Sequence, residues 1–388
     1  MGSGRRWRRR LVWSGALVLC TTGLVFAFKG CTLVKAQSNR ARIGKTLLRT
    51  QALDRAHMAP TRNIPVVHLY GSPEEMGAQY GALLAEPLCA LDAYVNLLLP
   101  ETMREQYMAT AAAKEPHLPD PLRRELKAMA DASGAPYMTL VAINVIAKMR
   151  CSALAVWGER AEDGAMLVGR NAEYFGLGLS DRGSLIVVYH PDDGEPLAAV
   201  SFLGMVGAHT GVNASGVCFG NLLVFNASAR ATRRDGMPIA LHMRLAAHKA
   251  ATAEDMAESL RAASHAIPVN VMIADPRNAL VLELAPNASR TRTSSDGALA
   301  VTNYFRTAEM RNGDASCERY DTLIEAAAEP MSVKAMERAL HSARVKNLNL
   351  AAVVFEPEAM RMRVSLNRVP ASAGPFTEFD LVRLFQGK

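Results

Sequence analysis

A cysteine in the run Arg150-Cys151-Ser152 is followed, nineteen residues later, by Arg170-Asn171-Ala172-Glu173. One reaction type makes use of a cysteine next to such charged groups. At an N-terminus, a cysteine carries nucleophile and base on a single residue: the thiol attacks, and the α-amine takes the proton. An α-amine has a reference pKa of about 7.7–8, so it is partly unprotonated near neutrality and suited to base work. Cys151 begins in mid-chain, so this chemistry requires its own thiol to break the Arg150–Cys151 bond. The cysteine alone does not demand it, because free cysteines commonly serve as small buried hydrophobes.

Other chemistries find less support. Outside the first 36 residues the cysteines are Cys89, Cys151, Cys218 and Cys317. No pair has zinc spacing, and the sequence contains no H-E-x-x-H, G-x-S-x-G or P-loop motif, so neither a metal nor a cofactor is expected. Four cysteines permit two disulfides, but their spacing gives no framework for a chain of 388 residues. The net charge of +7 is local in origin. Seven of the 44 Lys/Arg lie within residues 1–36, which hold no acid, leaving 37 basic against 37 acidic residues in the remainder. Nothing in that balance favours a nucleic-acid partner.

The leader is a basic stretch followed by an apolar run from Leu11 to Phe28. Its length sits between a signal h-region and a membrane span, so residues 1–36 are expected to be a signal peptide or a signal anchor. Val34-Lys35-Ala36 offers small residues for a signal peptidase. The flanking arginines place the N-terminus in the cytoplasm and the body outside it, exported or held at the membrane. Neither Cys20 nor Cys31 has a good lipobox context. Asn213, Asn226 and Asn287 each begin an N-x-S triplet.

The elements that must position Cys151 follow in order. Residues 37–63 are polar and basic and read as a linker. A short strand begins at Ile64, and Ser72-Pro73-Glu74-Glu75 has the form of a capping box with proline at N1. The rest of 64–150 is mostly helical, broken by prolines. From Cys151 to residue 388 the pattern turns to β, with strands expected at 165–170, 184–190, 197–204, 216–225, 269–274, 279–285, 298–304, 350–355 and 361–367. Helices are expected at 237–250, 252–263, 316–328 and 332–343. Hairpin runs separated by paired helices suggest an α+β fold of two mostly antiparallel sheets covered by helices.

Seven segments in order carry a resemblance. They are Leu69-Tyr70-Gly71-Ser72-Pro73-Glu74-Glu75-Met76-Gly77 with Gln79-Tyr80-Gly81, then Arg150-Cys151-Ser152, and Gly169-Arg170-Asn171-Ala172-Glu173. Thr210-Gly211-Val212-Asn213 with Gly216, Val301-Thr302-Asn303, Ser316 to Arg319, and Val353-Val354-Phe355-Glu356-Pro357 with Phe379-Asp380-Leu381 complete the set. Together, over about residues 64–385, they resemble the penicillin acyltransferase-like cysteine hydrolases, which belong to the N-terminal-nucleophile (Ntn) hydrolases. The resemblance implies a four-layer αββα sandwich, self-cleavage between Arg150 and Cys151 into an αβ heterodimer, and action on an amide or related acyl bond of a small acylated substrate.

It also implies roles. Cys151 becomes a thioester, and Glu173 holds its freed amine, although the family usually has Asp there. Arg170 lowers the thiol pKa, or else forms a structural salt bridge with Glu173. Asn213, through backbone or side chain, and Asn303 are candidate oxyanion-hole donors, or else cap a turn and a strand end. Arg319 orients the cysteine's surroundings or binds a substrate anion, or else is a solvated helix charge. His209 is expected to be a strand-end histidine, and Cys218 and Cys317 to be structural. The Glu173 departure and the membrane leader leave open a second function, a non-catalytic envelope protein of the same fold that binds a lipid or acylated ligand.

Overall fold

The computed structural model describes residues 32–145, 149–174, 178–179, 181–227, 232–233 and 235–387. The apolar run at 11–28 lies outside them, as does nearly all of the expected leader. Among the described residues no single helix is long and apolar enough to cross a membrane.

In chain order, helix α1 (32–47) leads into strands β1 (Gln51–Leu53), β2 (Ala56–Thr61) and β3 (Ile64–Gly71). Five helices follow: α2 (Pro73–Leu83), α3 (Ala85–Leu98), α4 (Glu101–Lys114), α5 (Asp120–Ser133) and α6 (Tyr137–Val145). Next come β4 (Met149–Val156), β5 (Leu167–Tyr174), β6 (Ser184–Pro191), β7 (Leu197–Phe202), β8 (Thr210–Asn213) and β9 (Cys218–Leu223). Helices α7 (Ile239–Ala247) and α8 (Ala253–Arg261) precede β10 (Val269–Ala274), β11 (Ala279–Ala285), β12 (Ala288–Arg292) and β13 (Ala298–Val301). The chain ends with α9 (Glu318–Ala326), α10 (Val333–Ser342), β14 (Asn349–Glu356), β15 (Arg361–Leu366), β16 (Thr377–Asp380) and α11 (Leu381–Phe385).

The strands form two sheets. One runs β1-β2-β3-β6-β7-β8-β9-β10-β11-β12, the other β13-β4-β5-β14-β15-β16. All pairings are antiparallel except β3 with β6. Three cores separate four layers. The largest joins helices α1–α8 to the outer face of the first sheet, through residues such as Tyr80, Leu126 and Phe219. The second fills the space between the sheets. The third packs α9 and α10 on the far face of the second sheet, through Leu323, Met336 and Leu340. This is the expected αββα sandwich.

Period-two alternation explains β4, a strand absent from the expected set. Cys151, Ala153 and Ala155 face the inter-sheet core, while Leu154 and Val156 face the helices. Its small residues weaken the hydrophobic signal that marks other strands. The expected linker is corrected at 37–63. Buried Ile43 and Leu47 on α1 supply a helical face, and β1 and β2 extend the first sheet by pairing onto β3. The polar composition masked a two-strand edge, where only one face needs to be apolar.

The segment before Cys151 is tied closely to the body. Ser72 and Glu75 form the expected capping box on α2. Gly77 and Gly81, one turn apart, let α2 lie against α5: a Cβ at 77 would overlap the Glu125 backbone, and one at 81 the Met129 carbonyl. That close approach is why the segment carries glycine inside a helix, where glycine costs about 1 kcal/mol relative to alanine. A fully buried ion pair joins Glu125 on α5 to Arg244 Nη1 on α7 at 2.7 Å. Asn144 on α6 accepts from the Val206 N–H at 2.9 Å and donates to the Gly204 carbonyl at 2.8 Å.

Candidate active site

Cys151 sits near the start of β4, wholly buried. On one side β4 pairs with β5, which sets Arg150 opposite Glu173 and Cys151 opposite Ala172. On the other side β13 pairs from Ala298 to Val301, with Val301 opposite Ala153. Continuing that register would put residue 303 opposite Cys151, but the strand has already turned away. Side chains take over the vacated ladder positions. The Cys151 N–H donates to Asn303 Oδ1 at 2.9 Å, and the Cys151 carbonyl accepts from Arg319 Nη1 at 2.9 Å.

Arg319 is the hub of this cluster. It lies in the first turn of α9 and is 16% exposed at the side chain, so it is not a solvated helix charge. Besides the Cys151 carbonyl, it donates to Glu173 Oε2 at 3.0 Å and to Asn303 Oδ1 at 2.8 Å. The other Glu173 oxygen accepts from the Val345 N–H. Burial raises the Glu173 carboxyl to about 7, against the opposing pull of the Val345 N–H and the nearby arginines.

In the uncut chain two of these residues are engaged otherwise than expected. Glu173 makes no hydrogen bond to the Cys151 nitrogen in that chain, which donates to Asn303 instead. Strand alternation puts its side chain on the helix-facing side, where it meets Arg319. Asn303 offers Cys151 its oxygen rather than a donor, because the residue stands where a ladder carbonyl would have been. Its amide nitrogen donates to the Leu223 carbonyl at 2.6 Å.

Arg170 lies on the other side of the thiol, 1% exposed. Its Nη2 is 3.5 Å from Cys151 Sγ and donates to the Asn221 carbonyl at 2.8 Å, while Nη1 donates to Thr210 Oγ1. Its buried Nε has no partner. The salt bridge with Glu173 is not formed; Glu173 pairs with Arg319 instead. Room for the guanidinium comes from Gly220 on β9, where a Cβ would overlap Arg170 Cδ and Nε. The expected depression of the thiol pKa is also corrected for the uncut chain. Burial pushes the Cys151 thiol up, outweighing the Arg170 charge and the Glu173 backbone N–H that pull it down.

Asn213 is a structural residue. Its Nδ2 donates to the carbonyls of Ala247, the last residue of α7, at 2.8 Å and of Ala250 at 2.7 Å. Its Oδ1 accepts from the Val217 N–H at 2.9 Å, and its own N–H donates to the Val217 carbonyl at 3.1 Å. The backbone donor of Asn213 is therefore engaged in closing the β8–β9 turn, and its side-chain donor ties that turn to the end of α7. His209 is a strand-end residue, its Nδ1 2.9 Å from Asn221 Oδ1. Burial, with the nearby Arg170 charge, holds it down to about 4, despite the Asn221 hydrogen bond. The four described cysteines are all free.

Sequence reasoning assigned no role to Thr210, Gly220 or Asn221, which seat Arg170. Thr210 lay within a recognised motif, but only the β8–β9 pairing shows that it and Gly220 face each other.

A cavity of about 530 Å³ opens between α3, α4 and α6. Val95, Leu99, Met108 and Ile143 give it an apolar lining, and Arg104, Asp92, Glu101 and Glu105 add charges of both signs. Tyr174 closes one side; it follows Glu173 on β5 and lies opposite Met149, two residues before Cys151.

A family model described as acyl-coenzyme A:6-aminopenicillanic acid acyl-transferase matches residues 160–368, more than half of the chain. Protein dcd1B of Dictyostelium discoideum is 28% identical over 212 residues, covering 46% of this chain. The chain spans 41% of that curated relative's length. Solved structures similar to it include a Caenorhabditis elegans N-acylethanolamine-hydrolyzing acid amidase ortholog (TM-score 0.44, 17% identity, 60% of this chain and 100% of that one). A mutant conjugated bile acid hydrolase from Clostridium perfringens gives a TM-score of 0.42 at 12% identity, over 60% of this chain and 93% of that one. Penicillin V acylase from Agrobacterium tumefaciens gives 0.40 at 12% identity, over 61% and 87%.

Proposed function

The chain belongs to the acyl-coenzyme A:6-aminopenicillanic acid acyl-transferase family, and on that premise we propose that it is a self-cleaving N-terminal-cysteine amidase or acyltransferase acting on small acylated substrates. One observation carries the reading. The Asn303–Arg319–Glu173 cluster is organised around the backbone N–H and carbonyl of Cys151, the residue whose nitrogen a cut after Arg150 would free.

In the uncut chain Cys151 Sγ attacks the Arg150 carbonyl carbon. The C–N bond breaks, the nitrogen gains a proton, and an ester link to sulfur forms. Water then hydrolyses that thioester, leaving Arg150 with a carboxylate and Cys151 with a free thiol and α-amine. Asn303 Oδ1 is already placed to accept a hydrogen bond from that amine, and Arg319 holds Asn303 and the Cys151 carbonyl fixed. Buried Arg170, with no carboxylate to pair with among the described residues, favours a negative sulfur beside it. Opening the strand end admits water and an adjacent cation, both of which move the thiol pKa down from its raised value in the uncut chain.

In the mature protein the thiolate attacks an acyl carbon, and the α-ammonium returns a proton to the departing amine. Water or an acceptor amine then takes the acyl group from sulfur. The cavity beside Tyr174 has the size of a small-molecule site. The leader at 1–36 would deliver this activity outside the cytoplasm.

Intact mass spectrometry and denaturing gels of wild type and Cys151→Ala test the reading. The wild type should give two fragments, one beginning at Cys151, and should hydrolyse a panel of N-acyl amides. Cys151→Ala should remain one chain and be inactive. An uncut wild type, or turnover that survives loss of the thiol, would overturn it.

A further inference from the structure

Phe225 follows β9 and is 44% exposed, unusual for a large aromatic whose backbone belongs to a buried site. Its N–H donates to the Asn303 carbonyl at 2.9 Å, so it stands one hydrogen bond from the residue that receives the Cys151 N–H. The ring and the loop that carries it are both held. Tyr304 packs edge-on against it, with centroids 6.2 Å apart. The next residue, Asn226, locks the loop by accepting from the Phe305 N–H at 2.8 Å and donating to the Phe305 carbonyl at 3.0 Å. A rigid aromatic left partly open beside Asn303 is what a preorganised binding surface requires.

In the uncut chain that surface already has an occupant. The guanidinium of Arg150, the residue on the acyl side of the candidate scissile bond, lies 5.3 Å from the Phe225 ring centroid, within cation–π range. Arg150 is otherwise exposed. Scission would leave Arg150 at a free chain end and release it from the ring.

We propose that the exposed face of Phe225, braced by Tyr304, is a substrate subsite for a planar aromatic or cationic group, and that Arg150 fills it until the chain is cut. The subsite rests on the reading of Cys151 as nucleophile for its place in catalysis, but its binding does not need turnover.

The test therefore has two arms. In the first, binding of benzamidine, a planar aromatic cation, is measured by calorimetry on the uncut Cys151→Ala chain. Adding Arg150→Gly should tighten binding about 5- to 10-fold, the size of one aromatic or cation–π contact. Adding Phe225→Ala to that pair should remove the gain, and Phe225→Trp should keep it. In the second, the cut enzyme is given phenylacetyl-glycine and hexanoyl-glycine. Phe225→Ala should raise KM for the phenylacetyl substrate by a similar factor, with kcat unchanged and the hexanoyl substrate barely affected, and Phe225→Trp should restore it. Equal affinity with and without Arg150, or equal losses on both substrates, would overturn the subsite. Turnover by Cys151→Ala itself would instead overturn the nucleophile assignment and leave the binding arm standing.

Discussion

Asn303 stands where the β13 register, had it continued past Val301, would have met Cys151. β13 leaves β4 after Val301, opposite Ala153, and the Asn303 side chain reaches back to take the Cys151 N–H at 2.9 Å. A regular ladder would have fixed that nitrogen between two backbones. A side-chain acceptor instead lets the nitrogen change from amide to amine without breaking a sheet.

The two asparagines should therefore separate on mutation. Asn213→Ala leaves buried groups unpaired at the β8–β9 turn and should cost about 1–3 kcal/mol of stability, with turnover of the cut enzyme unchanged. Asn303→Ala should lower turnover by about 100-fold or more through loss of the amine's positioning. Chemical denaturation and steady-state kinetics on both variants check this. A larger kinetic loss for Asn213→Ala would restore the role that its hydrogen bonds argue against.

Gly220→Ala should act on a thiol that it does not touch. The new methyl group displaces Arg170 and removes the positive charge nearest Sγ. Alkylation of Cys151 by iodoacetamide, followed against pH in the cut enzyme, should shift to higher pH. A stability loss of about 1–3 kcal/mol is expected from overpacking. An unshifted alkylation profile would show that Arg170 does not control the sulfur.

Glu173 gives a pH dependence of defined sign. Its folded carboxyl titrates at about 7, against 4.5 for the ordinary group. Between those values the folded chain keeps a proton that the unfolded chain has lost, so stability falls as pH rises and levels off above about 7. The full change is about 3 kcal/mol. Glu173→Gln cannot ionise and should lack this component. Urea midpoints at pH 5 and pH 8 for both proteins provide the comparison, and parallel shifts would refute it.

The Glu125–Arg244 pair should hold the two fragments together after cutting, with β3 on β6 and Asn144 on the 204–206 backbone. Arg244→Met strands a buried carboxylate and should cost about 3–5 kcal/mol, much of it recovered by adding Glu125→Leu. Native size exclusion should show the fragments eluting together in the wild type, and separating at lower urea in Arg244→Met.

Much of this was legible in the sequence. The capping box at Ser72, most of the strands after residue 165 and the helices at 252–263 and 332–343 follow from local rules: a cap, a period, a turn residue. The motif order gave the αββα class and drew attention to Cys151, Arg170, Glu173, Asn303 and Arg319. The linker at 37–63 and the absence of β4, β8, β12 and β16 from the expected set were errors of one kind. Edge strands and strands of small residues carry little hydrophobic contrast, and their pairing partners are distant in sequence.

By itself, then, the chain determined which residue types are available and which local elements they build, because backbone propensity and side-chain period act over a few neighbours. Only the tertiary structure decided that Glu173 serves Arg319 rather than the Cys151 nitrogen, that Asn213 closes a turn, and that Arg170 depends on Gly220. Those outcomes turn on strand register and on which face of a sheet each side chain occupies, and a shift of one residue along a strand reverses them all.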